Sequence, residues 1–320
     1  MKFATKTRSN VVGSFFLINL LLVSWSALAD EGGVPFWLSG QYASMAAVPL
    51  ATGWSVVALP YVYSGSADKS RTFQHGQSIS TGLKTRESLA LIQLGYVTQE
   101  KILGGQAYVG FGWGPGANTT SASVSVTHPN VEWNRSNMMT GGTDIYPLAS
   151  LTWNAGNNNF KTYVTGDIPV GAYSATSLSS IGIGHAAVDA GGAYTYLNNT
   201  TGLEFSSVIG ATYNWQNNQT NYKNGVDSHL DWSVSQFLSQ QWQVGVAGYV
   251  YYQLTADSGS GDRVGAFKSR VASVGPQIGY VFNMSAGQAY INLRTYKEFW
   301  AQNRVQGYAT VATISIPLGK

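Results

Sequence analysis

The chain has 320 residues, of which only 10% are charged, while 37 are glycine, 19 tyrosine and 10 tryptophan. Typical soluble domains carry about 25% charged residues, and a helical membrane protein would have a mean hydropathy far above the −0.05 of this chain, so the composition argues against both classes. The absence of cysteine excludes disulfides, thiolate metal sites and cysteine nucleophiles.

The first 29 residues have the pattern of an export signal. Three basic residues in positions 2–8 precede an apolar stretch over 11–23, and Ala27-Leu28-Ala29 supplies the small-x-small cleavage pattern. A membrane anchor is the less favoured alternative, because the apolar stretch is shorter than the roughly 20 residues that span a bilayer. We therefore predict a signal peptide over 1–29, cleaved near Ala29. Its removal leaves 15 basic and 15 acidic residues, a balance that argues against nucleic acid as a partner.

Residues 30–52 form a second region with no clean strand pattern. Apolar residues cluster in Phe36, Trp37 and Leu38, and again from Met45 to Leu50. One interpretation is a segment that lies in the lumen of a barrel, with Phe36, Trp37 and Leu38 as plug residues. The other is a periplasmic tail or a frayed extra strand, and both remain open at this stage.

From residue 53 to residue 320 the chain alternates between apolar and polar residues. In residues 203–215, for example, apolar side chains such as Phe205 and Ile209 occupy one face and polar ones such as Glu204 and Thr212 the other. The pattern predicts strands near 53–65, 87–96, 105–116, 144–154, 160–171, 187–197, 203–215, 226–238, 243–254, 271–282, 289–298 and 305–317. No later stretch is apolar enough for a spanning helix.

Aromatic residues and connection lengths indicate where these strands lie. Tryptophan and tyrosine collect near the strand ends, as in the interfacial girdles of outer-membrane barrels. Long connections, over 66–86, 117–143, 172–186 and 255–270, largely alternate with short ones such as 155–159. We therefore predict an all-β fold, a transmembrane antiparallel β-barrel of about twelve strands with long extracellular loops and short periplasmic turns, located in the bacterial outer membrane.

Several short strings are similar to a known family. They are Asp144 to Tyr173 with Pro147-Leu148, Leu151-Thr152-Trp153 and Pro169-Val170-Gly171-Ala172-Tyr173, then Gly275 to Tyr280, and Phe36 to Gln41 followed by Gly53-Trp54-Ser55. The chain resembles the outer-membrane proteins of the meta-pathway phenol degradation family from about Phe36 to Leu318. The resemblance implies a barrel that moves hydrophobic compounds, aromatic compounds among them, across the outer membrane.

Strand parity also selects residues that should face the lumen. The candidates for the solute path are Lys161, Tyr163, Asp227, His229, Asp231 and Arg294. Asp227, His229 and Asp231 alternate along one strand face and could bind a cation together with ligands from neighbouring strands. A polar wall whose charges pair with one another is favoured, because buried carboxylates without partners are costly. The sequence therefore predicts neither a metal nor a cofactor.

Catalysis has little support in the sequence. A lipid-cleaving barrel needs a serine–histidine pair with an orienting group, but the chain has four histidines and no G-x-S-x-G string. We therefore predict no catalytic residues and a protein that is not an enzyme.

The function that fits these patterns best is a channel for small hydrophobic solutes, aromatic ones among them, that works by passive diffusion. A general or polar-solute porin and a structural or adhesive surface barrel remain alternatives. The expected partners are outer-membrane lipid and lipopolysaccharide, together with the solutes, and a monomer is favoured.

Overall fold

The computed structural model describes residues 35–75, 78–127, 130–263, 265 and 267–319. The predicted signal peptide, over 1–29, lies outside these residues. The described strands are β1 Gly53–His75, β2 Ser78–Ile102, β3 Gly105–Trp113, β4 Pro115–Thr127, β5 Asn130–Gly142, β6 Tyr146–Ala155, β7 Asn158–Asp167, β8 Ala187–Leu197, β9 Leu203–Asn214, β10 Asp227–Phe237, β11 Trp242–Gln253, β12 Arg270–Met284, β13 Gly287–Gln302 and β14 Gln306–Gly319. In the described part of the chain, no helix is long and apolar enough to cross a membrane.

The strands close into a single antiparallel barrel, because β1 pairs with β14 on one side and with β2 on the other. Both β3 and β4 pair with β2, and β6 and β5 pair with β3 and β4 in turn. Two wall strands are thus each divided in half, one at Gly114 and one at residues 143–145. The wall therefore has twelve strands, which confirms the predicted fold class.

Side chains of the barrel have the reverse of a soluble protein's distribution. Apolar residues on the outer face are exposed, with Phe160 at 48% and Ile209 at 63%, whereas Tyr163, Glu204 and Asp231 on the alternate positions are buried. The outer face meets lipid, so apolar side chains are stable there, and polar side chains turn inward. The alternation of apolar and polar residues in the sequence follows from this arrangement, because successive side chains of a strand point to opposite faces.

Exposed aromatic side chains mark both ends of the barrel. Trp54 begins β1 and Trp242 begins β11, next to the short connections, which we call the short-turn end. Trp215 follows β9 and Tyr252 lies near the end of β11, at the opposite, long-loop end. Their exposure and positions are those of interfacial girdles.

Two segments predicted as long loops are strands instead. Residues 66–86 lie mainly in β1 and β2, whose pairing continues to His75 and Ser78. Residues 117–143 lie mainly in β4 and β5, which pair from Pro115 to Thr127. These segments are rich in serine, threonine and asparagine and do not alternate between apolar and polar residues, so the alternation could not predict strands there. Backbone hydrogen bonds between strands do not depend on the side chains, and the strand pairing continues through both segments.

Inside the barrel, a group of buried tyrosines lies at the long-loop end. Tyr63 and Tyr249 donate hydrogen bonds of 2.8 and 2.7 Å to the two carboxylate oxygens of Glu298. Tyr251 and Tyr296 are buried in the same cluster. These rings fill part of the lumen, so the barrel is not an open cylinder.

Candidate functional site

Residues 35–52, which we call the plug, lie inside the barrel and contain no strand. Backbone groups outside regular structure need other partners when they are buried, and side chains of the wall supply them. Asp231 accepts hydrogen bonds from the amides of Gly40, at 2.9 Å, and Tyr42, at 3.2 Å. Glu204 accepts one from the amide of Met45 at 2.9 Å. The wall acids thus bind the plug's N–H groups.

The wall's basic residues bind the plug's carbonyl groups. Arg294, only 1% exposed, donates from Nε to the carbonyl of Gly40 at 3.0 Å and from Nη2 to that of Gln41 at 2.5 Å. Lys161 Nζ donates to the carbonyl of Ala46 at 2.5 Å. Each charge therefore meets the backbone dipole of opposite sign, and the plug is held without regular secondary structure.

The ring of Trp37 packs against aromatic side chains of the wall. It is 2% exposed and stacks on His229 with a centroid distance of 3.6 Å and an interplanar angle of 10°. It also stacks on Tyr163 at 5.6 Å. The imidazole is held in turn, because His229 Nε2 lies 3.0 Å from Asp189 Oδ2 and Tyr163 donates to Asp189 Oδ1 at 2.8 Å.

The structure brings most of the predicted lumen residues together around the plug. Five of them contact it directly, namely Lys161, Tyr163, His229, Asp231 and Arg294. Asp227 lies apart, where Tyr251 and Asn214 donate to its carboxylate at 2.7 Å each. Among the described residues, no group of three or more acidic or histidine side chains is placed to hold a metal.

A cavity of about 520 Å³ lies between the plug and the wall, and its lining includes Lys161, Tyr163 and Arg294, which also contact the plug. Phe36 and Leu38 of the plug line one side of it, with Leu59, Leu89 and Leu91 on the opposite wall. Towards the short-turn end the lining is mixed, with Val97, Val281 and Ala289 beside the polar residues Gln93, Gln106, Ser150, Thr152, Lys161 and Gln288. The cavity is thus bordered by apolar side chains of β1 and β2 on one side and by a mixture of polar and apolar side chains towards the short-turn end.

The connection between β7 and β8, residues 168–186, folds inward and completes this cavity. Its Ile181 and Ile183 line the space, and the carboxylate of Asp144 accepts hydrogen bonds from the amides of Gly171, at 2.7 Å, and Ile183, at 2.8 Å. Asp144 lies where the divided wall strand leaves its ladder, so this break in the barrel is also the anchor of the inward loop.

His185, outside the strands, fixes the far end of the same loop. Its Nδ1 lies 3.0 Å from the carbonyl of Ile183 and its Nε2 lies 3.3 Å from Asn214 Oδ1. Burial lowers the pKa of His185 from its ordinary value of 6.5, and these hydrogen bonds together with Asp144 only partly oppose that shift. The neutral imidazole is therefore the form that the folded loop favours.

Comparison with known proteins agrees with this geometry. The model of the family described as "Putative MetA-pathway of phenol degradation" matches residues 47–314. The chain belongs to this family. No curated protein shows significant similarity to the chain.

Solved structures similar to this family member are outer-membrane barrels. The COG4313 outer membrane channel from Pseudomonas putida F1 superposes with a TM-score of 0.65 at 12% identity, over 83% of this chain and 96% of the channel. A FadL homologue from Pseudomonas aeruginosa reaches 0.43 at 8% identity, over 91% and 97% of the two chains. The translocator domain of the autotransporter NalP from Neisseria meningitidis reaches 0.45 at 13%, over 85% and 91%. Only the first likeness is strong enough to compare folds, and it agrees with the twelve-stranded barrel.

Sequence reasoning did not select four acidic residues of the site, namely Asp189, which holds His229, Glu87, which lines the cavity, and Glu204 and Asp144. Glu204 and Glu87 lie on inward strand faces. The alternation along their strands therefore carries the signal that identifies them, since it places both carboxyl groups in the lumen. Asp144 lies outside any strand, and its hydrogen bonds to Gly171 and Ile183 cross 27 and 39 residues of chain. No local signal marks such a contact.

Proposed function

We propose that this protein is an outer-membrane channel through which small hydrophobic compounds, aromatic compounds among them, cross by passive diffusion. The observation that carries the proposal is the cavity of about 520 Å³ with leucine and isoleucine on its wall side. Membership of the phenol-degradation family supports it.

The arrangement of the lumen explains why apolar solutes suit this channel. The wall's charged groups Asp231, Glu204 and Arg294 form hydrogen bonds with the plug's backbone. They are therefore not available to form hydrogen bonds with a sugar or an ion that passes through the lumen. The leucines of β1 and β2 offer apolar surface to the remaining space. Transfer of an apolar solute from water to such a surface is favourable by about 25 cal/mol per Å² buried.

The proposed route begins among the connections of the long-loop end and passes the apolar wall. It ends at the polar lining around Gln106 and Lys161, near the short turns. Phe36, Trp37 and Leu38 bound this route on the plug side, and the residues that bind the plug set its width. Export by the signal peptide, insertion as a monomer and contact with lipopolysaccharide belong to the same proposal.

Uptake into cells tests the proposal. Initial uptake of labelled toluene and labelled arabinose is compared in cells with and without the protein, at equal outer-membrane levels. The cavity is then narrowed with Leu91→Trp, while Ile92→Trp, the next residue and exposed on the lipid side, is the matched control. We expect the protein to speed up the entry of toluene and not that of arabinose. Leu91→Trp should reduce the rate of toluene entry several-fold, and Ile92→Trp should leave it unchanged.

The other outcomes assign the alternatives. Equal gains for toluene and arabinose would mean a general porin. No gain for either solute, with the barrel folded, would contradict the channel and favour a surface role for the hairpins β1–β2 and β4–β5.

A further inference from the structure

A carboxyl group lies at the apolar end of the cavity. Glu87, Leu89, Leu91 and Gln93 follow one another along the inward face of β2, and all four line the cavity. Glu87 is the nearest of them to the β1–β2 hairpin, and it is only 4% exposed. A solute that enters from the long-loop end therefore reaches this carboxyl before the polar lining at the other end.

The surroundings of Glu87 contain an amide and phenols rather than a cation. Asn118, its partner across the β2–β4 pairing, lies within hydrogen-bonding range of its carboxyl group. Tyr61 and Tyr146 are close enough to interact electrostatically with that group. None of the ion pairs formed by described residues involves Glu87. A buried carboxylate without a cationic partner gains strongly from any donor that reaches it.

Three other inward carboxylates, those of Asp231, Glu204 and Glu298, are already engaged. Asp231 and Glu204 bind amides of the plug, and Glu298 accepts hydrogen bonds from Tyr63 and Tyr249 and lies 3.9 Å from Arg304 Nη2. Lys161, the ammonium group at the polar end of the cavity, donates to Ala46. Glu87 therefore differs from these three carboxylates in lining the cavity.

Resting on the proposed function, we propose that Glu87 selects among apolar solutes by their head group. It favours a molecule that carries a cationic or hydrogen-bond-donating head, such as a primary amine, and it disfavours a carboxylate. An ammonium head pairs with the carboxyl while the leucines and isoleucines cover its alkyl chain. A carboxylate head brings a like charge into a site shielded from water, where such repulsion is large.

Three solutes of equal chain length test this selection, namely labelled octylamine, octanol and octanoate. Their initial uptake at pH 8 is measured in cells with the protein, and the uptake of cells without it is subtracted. We expect the wild type to favour octylamine over octanoate by about tenfold, the ratio that 1.4 kcal/mol produces.

Variants assign the effect to Glu87. Glu87→Gln removes the charge and should bring the ratio close to one, while Glu87→Asp keeps the charge and should retain most of the preference. Glu100→Gln, an exposed position on the same strand, makes the same chemical change away from the cavity and should leave the ratio unchanged.

The neutral alcohol separates the two proposals. If octanol entry is not accelerated, the channel function itself fails. If octanol is accelerated while octylamine and octanoate enter equally in the wild type, the selection by Glu87 is overturned, whether or not the variants fold. An unequal ratio that Glu87→Gln leaves unchanged also overturns it.

Discussion

Single charged side chains decide where the plug lies. Arg294 donates to two plug carbonyls, and Asp231 accepts from two plug amides. Removal of Arg294 leaves the carbonyl of Gln41 without this donor, while that of Gly40 keeps the hydroxyl of Tyr296 at 3.2 Å. A backbone group left unsatisfied in a buried position costs about 1–3 kcal/mol. The docking of residues 35–52 therefore depends on a few hydrogen bonds rather than on secondary structure.

Arg294→Met tests this dependence. The substitution keeps the bulk of the side chain but leaves the carbonyls of Gly40 and Gln41 without its donors, so the plug should detach more often. We expect larger and noisier single-channel conductance in planar bilayers than for the wild type. Arg86→Met, which removes an exposed arginine of β2, should conduct as the wild type does, and equal traces for all three proteins would contradict the role of Arg294.

The inward loop should respond to pH through His185. Its pKa in the folded loop lies below the ordinary 6.5, so the open loop binds more protons than the closed one as the solution becomes acidic. The stabilisation is complete above pH 6.5 and is lost as the pH falls towards the lowered pKa. Hydrogen exchange of residues 168–186, corrected for intrinsic rates, should therefore speed up below pH 6.5.

His185→Gln is the control for this pH effect. Glutamine does not titrate, so the exchange of the same loop should lose that part of its pH dependence. A wild type and a variant with the same pH profile would assign the change to another group.

At the scale of elements, the plug and the inward loop decide what the lumen can hold. The plug covers polar side chains of the wall, and Ile181 and Ile183 complete the apolar side of the cavity. Close packing fixes the plug's path as well, since Gly40 has φ +79° and a Cβ there would lie 2.7 Å from the ring of Tyr296. The proposed selectivity for apolar solutes therefore depends on these two segments as well as on the leucines of β1 and β2.

Deletion of residues 35–50 should convert the channel into a less selective pore. The deletion exposes Asp231, Glu204 and Arg294 to water in the lumen, so arabinose should enter at least several-fold faster while the advantage of toluene shrinks. Liposome swelling with sugars of increasing size measures the new pore. An unchanged permeability to arabinose would show that the plug does not limit the route.

The sequence predicted part of this site and missed the rest for a physical reason. Strand parity placed Lys161, Tyr163, His229, Asp231 and Arg294 on inward faces. In the structure the last four are buried, and Lys161 lines the cavity and donates to Ala46. It could not choose between a plug and a tail for residues 30–52, because an irregular segment has no periodicity. Its partners lie far along the chain, as in the contact between Gly40 and Asp231, which are 191 residues apart.

For the whole molecule, the lipid bilayer acts as the solvent of the outer face, and this explains why apolar side chains are exposed there. Apolar side chains such as Ile209 and Val234 are exposed on the outer face, and polar ones such as Ser206 and Ser233 are buried. A charge on the outer face must therefore enter hydrocarbon, whereas the same charge in an extracellular connection stays in water.

Ile209→Lys places such a charge in the middle of β9. We expect it to lower the free energy of unfolding by about 2–4 kcal/mol, the cost of lysine near the bilayer midplane. Asn218→Lys, in the exposed connection after β9, should change the stability by less than about 0.5 kcal/mol. Urea unfolding in lipid vesicles measures both, and equal stabilities would contradict the lipid-facing assignment of Ile209.

The sequence by itself predicted the barrel, about twelve strands, and which side chains face inward where the alternation is clear, because alternation along a strand is local and the bilayer imposes it on the wall strands. Only the tertiary structure decided that the β1–β2 and β4–β5 connections are hairpins, that the plug is held by side chains of several distant strands, and that Glu87 and Ile181 border the same cavity. Those features depend on backbone pairing, which does not require particular side chains, and on contacts between segments far apart in the sequence. Neither produces a periodic pattern of residues from which it could be predicted.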